Sequence, residues 1–223
     1  MYKVCLFDLD GTLLDTVESI AHIANQVLAH YNLPAQPVED FNYHAGDGAN
    51  KLIERSFAAA GGNPKDIDEA REMYKAMFAK DPLYKVSPYD GMVETLRTLK
   101  DNGVILAVCT NKPDKAARAN LAAMFDEDLF TVIQALDGSL KRKPAPDMAL
   151  AIANKLGVEP SECMYIGDTD TDMQTGKAAG MYTIGVLWGF RDQAELEANH
   201  ADIVIEKPQE LLAIRERGVH ERI

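Results

Sequence analysis

The 223-residue chain is poor in cysteine, in tryptophan and in positive charge. Its three cysteines, Cys5, Cys109 and Cys163, are odd in number, far apart and without C-x-x-C spacing, which excludes a disulfide framework. Each sits in an apolar stretch and reads as a small buried hydrophobe in a reducing compartment. No apolar run reaches the roughly 20 residues of a membrane span, and Met1-Tyr2-Lys3 leads into a strand with no small-residue cleavage signal. A soluble, cytoplasmic protein is expected. Only 23 bases face 35 acids, a formal charge of −12 whose field repels nucleic-acid phosphates and anionic membranes and excludes both as partners. Disorder is excluded by 47% apolar content in regular patterns, enough for one sizeable core and a smaller satellite domain.

Those patterns divide the chain. A short apolar strand, Val4 to Phe7, is followed by Val17, Ile20, Ala21, Ala24, Val27, Leu28 and Tyr31 at helical spacing, which predicts a helix over 15–31 ended by Pro34 and Pro37. Further helices are expected over 48–60, stopped by Gly61-Gly62, and over 64–80, with Ile67, Ala70, Met73, Tyr74, Met77 and Phe78 as the buried stripe. Residues 16–82 therefore read as an all-helical insert. From Asp90 onward helices alternate with near-continuous apolar strands, predicted at 104–109, 131–134, 164–166, 182–186 and 203–205. Such strands belong to a parallel sheet covered on both faces, a doubly wound α/β domain. The expected division is a core of residues 1–15 and 83–223 with the helical domain inserted after the first strand. Ligands of such sheets bind beyond the carboxyl ends of the strands.

Polar residues wait at three of those ends. The first strand runs into Asp8, Asp10, Gly11 and Thr12. Acids two apart share a side of the pleat if strand geometry persists; Gly11 permits a tight path beside a ligand and Thr12 offers a hydroxyl. The strand at 104–109 runs into Thr110-Asn111, and that at 164–166 into Gly167-Asp168, within GDTDTD. Singly, each has a bland alternative: an acidic turn, a strand cap, or a helix N-terminus in which Asp170 caps the helix starting near Thr171. In KRKPAPD, residues 141–147, three bases compete, and the flanking Pro144 and Pro146 single out Lys143 as the one held in place at a helix entrance.

Together the runs DLDGTLLD (8–15), Thr110, Lys143 and GDTDTD (167–172) resemble the motifs of the haloacid dehalogenase superfamily of aspartate-nucleophile hydrolases. The resemblance implies Asp8 as nucleophile, Asp10 as acid/base, Thr110 as a hydrogen-bond donor to the phosphoryl group and Lys143 as charge neutraliser. On their own chemistry, the Thr12 hydroxyl and Asn111 could add donors to the phosphate, with Gly11 letting the backbone pass close to it. The resemblance also implies Mg2+, ligated by the Asp8 side chain, the Asp10 backbone carbonyl and Asp168, with Asp172 supporting. A cation is needed on charge grounds too, because four converging aspartates would repel a phosphate dianion, and an all-oxygen set suits Mg2+. Asp10 separates the chain from carbon-attacking dehalogenases, which lack the second acid.

Substrate choice is expected to lie with the insert. Its run HAGDGANKLIER, residues 44–55, together with TNKP (110–113), the KPxPD run and GVLWGF (185–190), resembles the phosphoglycolate phosphatase subgroup. Gly46 and Gly48 would let backbone N–H groups approach a small anion, or would form an ordinary flexible loop; Lys51 is the candidate insert cation. Trp188 could touch insert or site, or simply pack. The expected activity is a Mg2+-dependent phosphatase acting on a small phosphate monoester, 2-phosphoglycolate first, through an aspartyl-phosphate, in a monomer or homodimer. The rivals are a sugar-phosphate phosphatase or phosphomutase of the same build and, in another class, a non-enzymatic phosphoryl-accepting switch.

Overall fold

The computed structural model describes residues 1–216. Six parallel strands, β1 (Val4–Phe7), β4 (Ile105–Pro113), β5 (Val132–Leu136), β6 (Cys163–Gly167), β7 (Tyr182–Val186) and β8 (Ile203–Ile205), form a sheet in the order β5-β4-β1-β6-β7-β8. The chain steps outward from β1 through β4 to β5, returns to the other side of β1 as β6, and steps outward again. That reversal opens the crevice in which such sheets hold ligands. Connections run through α5 (Met92–Asp101), α6 (Asp114–Met124), α7 (Asp147–Leu156), α8 (Asp170–Ala179) and α9 (Gln193–Ala198), with α10 (Glu210–Glu216) following β8. Strand side chains alternate between two buried layers: Cys5, Phe7, Val108 and Ile166 on one face, Val4, Leu6, Cys109 and Tyr165 on the other. Burial on both faces explains why these strands read as unbroken apolar runs.

Four helices fill the stretch between β1 and α5: α1 (Val17–His30), α2 (Phe41–His44), α3 (Ala49–Ala59) and α4 (Ile67–Phe78). They bury their own cluster around Ile23, Leu28, Phe41, Ile53, Phe57 and Tyr74, joined from the sheet side by Ala116 and Phe190. Of the stripe expected on α4, Ala70, Tyr74 and Phe78 are buried, whereas Ile67, Met73 and Met77 are half-buried at its margins. Phe57 is 1% exposed, and its truncation to alanine would cost about 3–5 kcal/mol.

A two-stranded ribbon escaped the sequence reading. β2 (Leu14–Asp15) pairs antiparallel with β3 (Ser87–Pro88), Leu14 opposite Pro88 and Asp15 opposite Ser87. The chain thus enters and leaves the helical insert at neighbouring points.

Candidate active site

Register fixes what meets at the carboxyl edge. Phe7 lies level with Val108 and with Ile166, so the strands on both sides of β1 end together and carry Thr110 and Asp168 up beside Asp8. Ligand oxygens of Asp8, Asp168 and Asp172 lie within 4.8 Å of one another, all three residues buried. Lys143 reaches in between: its Nζ is 2.7 Å from Asp172 Oδ1 and 2.8 Å from Asp8 Oδ1. The Asp172 contact is a hydrogen bond, but the approach to Asp8 lacks hydrogen-bond alignment and leaves Asp8 Oδ1 buried without a hydrogen-bond partner.

Electrostatics follow from the crowding. Burial, then the Asp172 charge, pushes the Asp8 carboxyl up to about 7 against the pull of Lys143. Burial, then Asp172 and Asp8, raises Asp168 far above the usual carboxylate range, although its oxygens accept from Thr12 Oγ1 at 2.8 Å and Phe190 N at 2.9 Å. Burial opposes the charge on Lys143, yet Asp172 and Asp8 outweigh it and hold the ammonium above its ordinary value. One lysine cannot neutralise three aspartates.

The backbone around Asp168 is shaped for close approach. Gly11, at φ +82°, would place a Cβ 2.1 Å from Asp168 Oδ2, and Gly189 would place one 2.3 Å from Asp168 Cβ. Only glycine fits either position. Asp172 reaches back as well, Oδ2 accepting from Thr169 N at 3.1 Å and Thr169 Oγ1 at 2.7 Å, a reciprocal cap on α8. This corrects the capping role expected of Asp170, which is itself the first residue of the helix.

The donor set suits a hard divalent cation: three buried carboxylates, one with an oxygen lacking a hydrogen bond, and a net negative charge that a metal would offset. Asp10 stands apart from the cluster. Its Oδ1 accepts from Lys112 Nζ at 2.5 Å.

A cavity of about 200 Å3 opens over this edge, with Asp8, Asp10, Thr110 and Lys112 at its floor and Ile20, Leu52, Tyr74 and Phe78 of the insert above. Gly46 and Gly48, both at positive φ, also line it. Thr110 is buried, its Oγ1 accepting from Lys112 N at 3.2 Å. Asn111, expected as a phosphate donor, lines the cavity and also binds the Lys143 backbone: Oδ1 accepts from Lys143 N at 3.0 Å and Nδ2 donates to Lys143 O at 3.2 Å. It tethers the lysine loop. Lys51 is not among the cavity-lining residues; it pairs with Glu54 at 3.0 Å on an open helix face. Trp188 donates from Nε1 to Thr12 O at 2.9 Å and so braces the first loop. The three cysteines are buried thiols, Cys109 pushed up to about 11 by burial.

Two features escaped the sequence reading. Lys112 had no role of its own within the TNKP run, but β4 continues to Pro113 and brings its ammonium to Asp10. Arg191 is the other, joining the sheet domain to the insert by donating to the carbonyls of Asn42 and Ala45. Thr171 Oγ1 adds a hydrogen bond to Asp47 Oδ1 at 2.9 Å, and Arg142 Nη1 one to Asp47 O at 3.3 Å. Neither contact has a local sequence signature.

A six-stranded parallel sheet gathering buried aspartates and a lysine at its carboxyl edge defines the chain as a doubly wound α/β protein with an acidic site at its strand ends. The family model for haloacid dehalogenase-like hydrolases matches residues 5–186, and the chain belongs to that family. It is 35% identical over 196 residues to a phosphoglycolate phosphatase of Rhodospirillum rubrum, covering 85% of this chain and 81% of the relative. An N-acetylmuramic acid 6-phosphate phosphatase of Pseudomonas aeruginosa is 28% identical over 97% of this chain and 96% of its own length. A solved structure provisionally named phosphoglycolate phosphatase, from Lactobacillus delbrueckii, superposes with a TM-score of 0.91 at 28% identity, over 96% of this chain and 98% of that one. The chain is accordingly a phosphoric monoester hydrolase. Among the described residues no helix is long and apolar enough to cross a membrane.

Proposed function

We propose that this enzyme is a Mg2+-dependent phosphatase that hydrolyses a small phosphate monoester through an aspartyl-phosphate on Asp8, with 2-phosphoglycolate the leading substrate. The observation that carries the reading is the position of Asp8, buried at the end of β1 beside Asp168, Asp172 and Lys143 and open to the cavity. Residues 16–82 act as a cap over a core of 1–15 and 83–223, in a cytoplasmic enzyme.

In the first step an Asp8 carboxylate oxygen attacks phosphorus as the bond to the leaving oxygen breaks, and Asp10 supplies that oxygen with a proton. In the second, water attacks the aspartyl-phosphate, Asp10 takes its proton, and phosphate leaves with Asp8 restored. Lys143, Thr110 and the loop amides of Asp10 and Thr12 hold the charge on the non-bridging oxygens, the Gly11 amide being given to Leu14 O at 2.9 Å. Asn111 keeps Lys143 in register for this task. Asp8, Asp168 and the Asp10 backbone carbonyl would hold Mg2+, with Asp172 beside them. The ion supplies positive charge at the phosphate oxygens.

A sugar-phosphate phosphatase is the second reading, favoured by the Pseudomonas aeruginosa relative named for a sugar phosphate. Phosphate release from a panel of esters with and without Mg2+ separates the two. The expected result is Mg2+-dependent turnover of 2-phosphoglycolate, lowered at least about 1,000-fold in Asp8→Asn. Full activity in that variant would remove Asp8 as nucleophile.

A further inference from the structure

Two buried lysines stand at the site, and of the two only Lys112 lines the cavity. Lys143 stands between Asp8 and Asp172, at the phosphate end. Lys112 is 6% exposed, is paired with Asp10 and not with Asp8, and has the ring of Phe78 over its ammonium at 4.8 Å. An ammonium carries three donors, and Asp10 takes one. The remaining cations of the cavity lining differ in placement: Lys115 is exposed, and Lys75 is committed to Glu72 at 2.6 Å.

The walls narrow the choice of ligand further. Ile20, Ala49, Leu52, Phe78 and Ala116 present no side-chain donor or acceptor to the cavity, and Tyr74 is the one lining residue of the insert with an uncharged hydroxyl. A ring of substrate hydroxyls facing them would lose its water without replacement partners, which costs free energy for each group left unpaired. A carboxylate on a short carbon stem would instead place apolar atoms against the walls and its charge at Lys112.

Resting on the phosphatase reading above, we propose that Lys112 reads the leaving group, and that the substrate class is short phosphomonoesters bearing a second anionic group and few or no free hydroxyls. Lys143 then serves the phosphate and Lys112 the far end of one doubly charged molecule. Lys51, the insert cation expected from sequence, has no part in this.

The test compares kcat/KM with Mg2+ for 2-phosphoglycolate, for 2-hydroxyethyl phosphate, which replaces the carboxylate by a neutral group, and for glucose 6-phosphate. The wild-type enzyme is expected to prefer 2-phosphoglycolate over 2-hydroxyethyl phosphate by at least about 100-fold and to turn over glucose 6-phosphate worst. Lys112→Met, which keeps an unbranched stem under Phe78, is expected to shrink that preference to about 5-fold or less, and Lys112→Arg to keep more of it than Lys112→Met. A flat wild-type preference overturns the proposal whatever the variants do. So does a Lys112→Met enzyme that slows both short esters equally and keeps their ratio. Release of phosphate without preference defeats this proposal alone, whereas no release from any ester defeats the phosphatase reading and this proposal together.

Discussion

Lys143 stands 2.7 Å from Asp172 and 2.8 Å from Asp8, and the ammonium is 1% exposed at its side chain. Removing it leaves buried carboxylates with no counter-charge. Lys143→Ala should therefore lose stability by about 3–5 kcal/mol and kcat by at least about 100-fold, read from urea unfolding midpoints and from steady-state phosphate release. A variant within about threefold of wild type in kcat would show that charge at the phosphate is supplied from elsewhere.

Asp8 gives a pH dependence whose sign can be worked out. In an unfolded chain an aspartate titrates near 3.9; in the folded protein burial and then Asp172 push Asp8 up to about 7. Between those values the folded state holds a proton that the unfolded chain has released. Its stabilising contribution is full below the unfolded pKa and is lost as pH rises through about 7. Asp168, raised by burial and by the same neighbours, acts with the same sign. In metal-free protein, Asp8→Asn should therefore gain Tm relative to wild type as pH rises from about 4 to about 7 and stay level above. Mg2+ should narrow the difference by favouring ionised Asp8 in the wild type. A difference that does not change with pH would contradict the assignment.

Arg191 yields a prediction about the contact between sheet and insert. Its guanidinium is 7% exposed as a residue and donates to the Asn42 and Ala45 carbonyls while Nε binds Glu195 at 2.8 Å. Arg191→Ala should raise KM and expose the segment around Asn42 to limited proteolysis, with a stability loss of about 1–3 kcal/mol. Unchanged KM and cleavage pattern would mean that the insert is held by its apolar cluster alone.

Legibility followed periodicity. Strand ends announce themselves, so Asp8, Thr110 and Asp168 could be placed on one edge from apolar runs and the residues that follow them. Lys143 was separable from Lys141 and Arg142 because prolines leave a sequence mark. Elements too short for a period were not: α2 has four residues, α9 six, and each strand of the ribbon two. Long-range pairing was equally silent. Asn111 has the right chemistry for a phosphate donor, but its partner lies 32 residues away at Lys143; Lys112 and Asp10 are 102 apart. Nothing local in a sequence says which of several suitable partners a buried amide or ammonium will take, because packing of distant elements decides it.

The pairing of Asp15 with Ser87 also bears on how such a protein can change over generations. A segment whose two junctions are neighbours can be lengthened, shortened or exchanged without pulling β1 away from β4, since the strands see the same anchor points whatever hangs between them. The apolar walls above the site can thus be rewritten in the helices while the aspartates and Lys112 stay where the sheet holds them.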